Sequence, residues 1–150
     1  MKIQFANEQQ APMISELIHG LSHYFTVKPN GSGAEHFLQS ITPDAIRNYI
    51  LDSGFVYITA TENGELAGVA ALKGGTHVFH LFVAAPYQKR GLATQLWKAL
   101  QAYIDKNANE ITVNSTLFAE PVYQRFGFVA QGERVERNGV AYISMKKWVA

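Results

Sequence analysis

The stretch Val83-Ala84-Ala85-Pro86-Tyr87-Gln88-Lys89-Arg90-Gly91-Leu92-Ala93 joins an apolar run to an amphipathic one, and its residue types suit an anion. Gly91 and Ala93 carry little or no side chain, so backbone N–H groups there can close on a phosphate, and the helix that follows presents its positive dipole end. Lys89 and Arg90 add positive charge. By itself, a small-residue turn before a helix is what any strand-to-helix connection requires. Neither G-x-G-x-x-G nor G-x-x-x-x-G-K-S/T can be laid over the stretch, so it is neither a dinucleotide fingerprint nor a P-loop. The ligand is another phosphate carrier.

The elements around this junction follow from hydrophobic periodicity. Thr76 to Val83 is an apolar run of the kind buried on both faces of a sheet, which makes it the central strand. From Gly91 to about Asn107, Leu92, Leu96, Leu100, Tyr103 and Ile104 recur on one side of a helix opposite Gln95, Lys98, Gln101 and Asp105. Upstream, a strand at Lys2 to Ala6 precedes a helix started by Asn7 with Gln10, with Ile14, Leu17, Ile18, Leu21 and Phe25 at helical spacing. A second helical region runs from Glu35 to about Leu51 and restarts where Thr42 caps, Pro43 fills the first turn and Asp44 meets the dipole. Phe55 to Thr61 and Glu65 to Lys73 form a hairpin about Asn63-Gly64. Downstream lie a strand at Ile111 to Asn114 and a short helix at Glu120 to Phe126. A final hairpin joins Phe128 to Arg134 with Val140 to Trp148 around Asn138-Gly139.

The 150 residues, 47% apolar and 17% charged, suit one α/β domain over 1–150 with an ordinary core. There is no cysteine, which removes thiol nucleophiles, disulfides and cysteine zinc sites and points to a reducing, cytoplasmic setting. Thirteen basic against twelve acidic residues leave no footprint for nucleic acid or an anionic membrane. The chain has no apolar run of membrane-spanning length and no signal-peptide pattern at its start. His19 and His23 stand four apart on the first helix, a metal-ligand spacing, but no adjacent glutamate or cysteine completes a site, so no metal is expected.

Gln88-Lys89-Arg90-Gly91-Leu92-Ala93 resembles the Q/R-x-x-G-x-G/A pyrophosphate loop of the GNAT family of N-acetyltransferases. Val113-Asn114-Ser115 and Ala119-Glu120-Pro121-Val122-Tyr123-Gln124-Arg125-Phe126-Gly127-Phe128 resemble that family's fifth strand and the helix after it, with a tyrosine four residues before Gly-Phe. The element order over nearly the whole chain is similar, while the specific motifs lie between His77 and Phe128. Ala93 stands where many members have glycine and narrows the room at one phosphate contact.

The resemblance implies a mixed, mostly antiparallel sheet of about seven strands, splayed between the fourth and fifth and flanked by about four helices. It implies acetyl-CoA as cosubstrate, held by the loop from Gln88 through Lys89, Arg90, Gly91, Leu92 and Ala93 to Thr94, and by the backbone of Leu81, Phe82 and Val83. It places Asn114 beside the pantetheine arm or the acceptor, and the acceptor itself near His23, Tyr24 and Phe25. Direct attack of an amine on a thioester needs a neutral amine, a donor for the oxyanion and an acid for the departing thiolate. Tyr123 is the acid, since a tyrosine with a reference pKa of about 10 stays protonated at neutral pH. For the base, alternation along the strand places His77 and Phe79 on the face of Leu81 and His80 with Phe82 on the other; a bulge would reverse this. His77 ranks above His80 because it matches by position a site where some members of the family carry a basic carboxylate, while the base itself is left unassigned among His77, His80 and water.

The resulting expectation is an acetyl-CoA-dependent N-acetyltransferase acting on a small-molecule or peptide amine. A non-catalytic acyl-CoA sensor is the alternative. A flavodoxin-like domain is opposed by the two hairpins. Asp44, Asp52, Glu62 and Glu65 are scattered, so no acidic cluster points to a polycation. The alternation of Tyr142, Ile143, Met145 and Trp148 suits either pairing with a second copy, as a homodimer, or a closed monomer core.

Overall fold

The computed structural model describes residues 1–149, in which eight strands form one mixed sheet between two helical layers. The strands are β1 (Lys2–Phe5), β2 (Phe55–Glu62), β3 (Glu65–Lys73), β4 (His77–Val83), β5 (Glu110–Ser115), β6 (Val129–Ala130), β7 (Val135–Arg137) and β8 (Val140–Trp148). The helices are α1 (Ala11–Gly20), α2 (Glu35–Gln39), α3 (Pro43–Leu51), α4 (Leu92–Gln101) and α5 (Glu120–Arg125). Strand order is β1-β2-β3-β4-β5-β8-β6, with β7 on the far half of β8. Only β4 and β5 pair in parallel, and they do so for two residues, His77 with Thr112 and Val78 with Val113.

Local chemistry explains most element limits. Asn63 and Gly64 both take positive φ, 52° and 81°, as the tight β2–β3 turn demands, and Asn138 and Gly139 repeat this at 53° and 76° between β7 and β8. The Gln10 side chain accepts a hydrogen bond from the Asn7 backbone N–H at 3.0 Å, and the Thr42 hydroxyl accepts one from Ala45 N–H at 3.2 Å. Ile14 and Ile18 of α1, Ile46 of α3 and Ile41 just before α3 are buried against one sheet face, where Tyr57, Val69 and Ala71 meet them. Leu92, Leu96, Trp97 and Leu100 bury α4 against the other face.

Five expectations change. The helix from Gly91 ends at Gln101 instead of Asn107, because Asp105 N–H is drawn to the Gly75 carbonyl at 3.0 Å and the chain turns there, leaving Tyr103 exposed. The strand expected over Phe128 to Arg134 contracts to β6, and a separate β7 forms the hairpin with β8, which raises the strand count from about seven to eight. Helix α1 stops at Gly20, so His23 lies in a following 3₁₀ turn, Ser22–Tyr24, and does not share a helix face with His19. His19 Nδ1 instead sits 2.9 Å from the Ser15 carbonyl.

The fourth change concerns β4. Its pairing with β3 slips between Ala71 with His80 and Leu72 with Val78, so Phe79 is an extra residue in a bulge. Phe79 and His80 consequently project to the same side, their rings stacked 4.2 Å apart, with Phe82 on that side as well, while Val78, Leu81 and Val83 pack on the α4 face. His77 lies opposite Lys73, whose ammonium sits 5.9 Å from the Phe79 ring, so it too faces away from Leu81. Both histidines therefore share one face, against the alternation read from the sequence. Finally, β4 is not buried throughout: from Phe79 to Val83 only His80 is fully covered. Beyond Val78 the edge of β4 that faced β5 is open, and that opening is where the sheet splays.

Candidate active site

Two cavities meet at this parting of strands. The first, about 440 Å³, runs between β4 and β5 from the loop before α4 to the start of α5. The second, about 340 Å³, lies on the α1–α3 face between β4, α2, α3 and the β7–β8 hairpin. Phe25, Val78, Phe79, Phe82, Asn114 and Thr116 border both. Each volume lies within the range of small-molecule sites, roughly 300–1,000 Å³.

Eleven of the twelve residues expected to hold the cosubstrate line the first cavity: Leu81, Phe82, Val83, Gln88, Lys89, Gly91, Leu92, Ala93, Thr94, Asn114 and Tyr123. Arg90 does not; its guanidinium lies 5.6 Å from the centre of the Tyr87 ring. At the mouth, Lys89 and Gly91 both take positive φ, 63° and 81°, and a Cβ at Gly91 would meet nothing within 4 Å. The turn therefore presents bare backbone. Among the described residues, no protein group accepts a hydrogen bond from the N–H groups of Lys89 through Thr94. A run of free donors at a helix start, with Lys89 in the same turn, is the donor set that a pyrophosphate takes; Arg125 of α5 lines the same cavity. The Gln88 side chain does something different: its amide donates to the Val83 carbonyl at 3.0 Å and ties the loop to the end of β4.

Tyr123 stands at the other end of the cleft. It is buried between Phe126 and Phe128, with ring centres 6.1 and 5.5 Å away, and burial pushes its hydroxyl above the usual tyrosine range. Among the described residues its hydroxyl has no hydrogen-bond partner, so a protonated donor is left for whatever occupies the cleft. Asn114, at the junction of the cavities, is held by the Ser144 hydroxyl, which donates to its Oδ1 at 3.2 Å.

The histidines separate by environment. His80 is buried, its Nδ1 is 2.7 Å from the Tyr57 hydroxyl, and burial drops its pKa to about 3. It stays neutral and is a poor proton acceptor at neutral pH. His77 is half-buried with Nδ1 2.8 Å from the Thr112 hydroxyl; burial first, and the Lys73 charge second, lower its pKa. Both border the second cavity. Phe25 borders both cavities and Tyr24 the first, whereas His23 borders neither and stacks on Tyr24 at 4.1 Å. The sequence reading missed Phe118, which stacks on Tyr24 at 4.1 Å across the cleft, and Arg125 and Arg137, one in each cavity wall. An aromatic residue in a loop carries no local signal of its partner. Among the described residues, no three histidine or acidic side chains gather as a metal site, and no helix is long and apolar enough to cross a membrane.

The sheet is thus opened by a short parallel pairing, with free amides at one end of the gap and a tyrosine hydroxyl without a protein partner at the other. The chain belongs to the GNAT family of N-acetyltransferases, whose domain, described as "Acetyltransferase (GNAT) domain", matches residues 25–149. A curated relative, "Uncharacterized N-acetyltransferase YafP" of Escherichia coli strain K12, is 38% identical over 60 residues, 39% of this chain and 37% of the relative's length. The structure of a GCN5-related N-acetyltransferase from Rhodopseudomonas palustris superposes with a TM-score of 0.80 at 22% identity, covering 99% of this chain and 95% of the other. That of PaiA N-acetyltransferase from Thermoplasma acidophilum, in complex with coenzyme A, gives 0.76 at 15% identity over 99% and 98%. At these identities the two structures show a shared fold.

Proposed function

We propose that this protein is an acetyl-CoA-dependent N-acetyltransferase that moves an acetyl group directly from the thioester to a primary amine. The meeting of the two cavities at Phe79, Phe82 and Asn114 carries the reading, because it brings a phosphate-binding cleft and a second, separate cavity to one point on β4. The pyrophosphate rests on the free N–H groups of Lys89 to Thr94, and the similarly folded PaiA structure, obtained in complex with coenzyme A, supports the choice of cosubstrate. The pantetheine arm takes the place of a strand beside the open edge of β4 and bonds the backbone of Leu81 and Val83, as a β5 residue does at Val78.

The amine attacks from the second cavity. A nitrogen–carbon bond forms, the carbon–sulfur bond breaks, and the proton lost by the amine passes to His77, which its surroundings keep neutral at pH 7. The Tyr123 O–H bonds the departing sulfur. With a thiol near pKa 8.5 and the tyrosine above 10, full proton transfer is uphill, so the hydroxyl acts chiefly as a hydrogen-bond donor to the developing thiolate. The thiolate then takes its proton from water.

The test is release of free CoA from acetyl-CoA, dependent on added amine, compared between the parent and Tyr123→Phe. Melting shifts with acetyl-CoA, CoA, NAD and ATP test the cosubstrate separately: saturation a hundredfold over Kd stabilises by about 2.7 kcal/mol, visible as a few degrees. Shifts with the CoA species alone support the reading; release of CoA that no amine accelerates overturns the transfer.

A further inference from the structure

The second cavity has a polarity that selects its occupant. Its walls are aromatic, with Phe25, Phe37, Tyr49, Phe79, Phe82 and Tyr142 around the space. The Tyr49 hydroxyl is already spent, donating to the Ser40 carbonyl at 2.8 Å, so this ring offers its apolar body. Neither cavity is bordered by an aspartate or glutamate. The charged side chain that does border the second cavity is Arg137 on β7.

The acids nearest in sequence are turned to other partners. Glu136, beside Arg137, pairs with Arg134 at 2.8 Å, and Glu35, beside His36, accepts from Gly33 N–H at 3.2 Å. Among the described residues Arg137 itself has no ion pair. It is also held in place by backbone: Gly139 at the hairpin tip accepts from Val27 N–H at 2.8 Å, and Thr26 bridges to Val140, so the β7–β8 turn is fastened to the segment after α1.

We propose that the acceptor is an amino carboxylate with an aromatic or large apolar body, its ring among Phe37, Tyr49 and Phe79 and its carboxylate on Arg137. This rests on the acetyltransferase reading and adds the acceptor class. A polycation finds no carboxylate here and meets Arg137. An apolar amine without a carboxylate fills the rings but leaves the guanidinium without the fork-shaped partner it is built to take.

The experiment measures kcat/KM with acetyl-CoA for phenylalanine, phenethylamine and spermidine in the parent, Arg137→Gln and Arg137→Lys. Phenylalanine and phenethylamine share a ring and an amine and differ in the carboxylate. The expected result is phenylalanine at least tenfold above both others, with that ratio over phenethylamine falling toward one in R137Q and to an intermediate value in R137K. Because Arg137 is exposed, unchanged melting temperatures will show the variants fold. As a readout independent of turnover, N-acetylphenylalanine should bind the CoA-loaded protein at least tenfold more weakly in R137Q. Phenethylamine or spermidine acetylated as fast as phenylalanine, or a ratio unmoved in R137Q, overturns the acceptor assignment and leaves the transferase reading standing. Acetylation of no amine at all overturns both.

Discussion

The Tyr57 hydroxyl and His80 Nδ1 lie 2.7 Å apart in a site closed to solvent, beneath the bulge that places Phe79 over the second cavity. Each gives the other its one polar partner. The pair holds the middle of β4 to β2 across the intervening β3, which fixes the strand from which both cavities are built. Its effect is on stability, and the sign follows from burial. The folded pKa of His80 is depressed to about 3, whereas in the unfolded chain it is near 6.5, so between these values the unfolded state binds the extra proton. Stability is fully present above pH 6.5 and falls as pH drops toward 3, by about 1.4 kcal/mol per unit in that window. Thermal unfolding followed from pH 7.5 to 4 should show this slope, and His80→Gln should flatten it.

Removing one partner of the pair leaves the other orphaned. Tyr57→Phe should cost about 1–3 kcal/mol, the range for an unsatisfied buried polar group, as read by urea unfolding.

Tyr123→Phe should behave in the opposite way. The hydroxyl has no protein partner, so its removal leaves the melting temperature within about a degree, and binding of CoA is retained. The turnover number should fall about a hundredfold, the low end for a positioned proton donor. A steady-state comparison with direct CoA titration separates the two effects.

As the proton acceptor of the proposed mechanism, His77 should contribute an acid limb to the rate profile. Its pKa is lowered, so its own protonation should enter the kcat profile only below pH 6.5, beneath the fall that protonation of the free amine imposes on kcat/KM, and His77→Gln should remove that lower limb together with most of the rate. A pH series with both proteins reads it directly.

Gly139 ties the hairpin that walls the second cavity to the fold. At φ 76° it sits in a conformation that L side chains resist, and a Cβ there would run into the Gly33 carbonyl. Gly139→Ala should destabilise by at least about 1–2 kcal/mol and raise KM for the amine several-fold, with CoA affinity retained. Isothermal titration with CoA beside acceptor kinetics checks the split.

The hairpin turns were legible in the sequence because they rest on local chemistry, Asn-Gly pairs at positive φ, whereas the loop before α4 and Tyr123 were singled out by their resemblance to the GNAT motifs, and the structure places them along one cleft. The order of elements was legible for the same reason as the turns, since periods of two and of 3.6 residues are properties of short segments. What the tertiary structure decided is everything that depends on one segment meeting another. The bulge at Phe79 comes from the slipped pairing of β4 with β3, and it put His77 and His80 on one face where alternation alone had divided them. The early end of α4 comes from Asp105 reaching Gly75, thirty residues back in the chain. Arg137 reads as a surface residue of a hairpin until Gly139 docks against Gly33 and brings it to the cavity. Backbone preferences act within a few residues and are written in their types. Register, docking and the charge of a cavity are set by packing between distant segments, so they exist only once the chain has closed on itself.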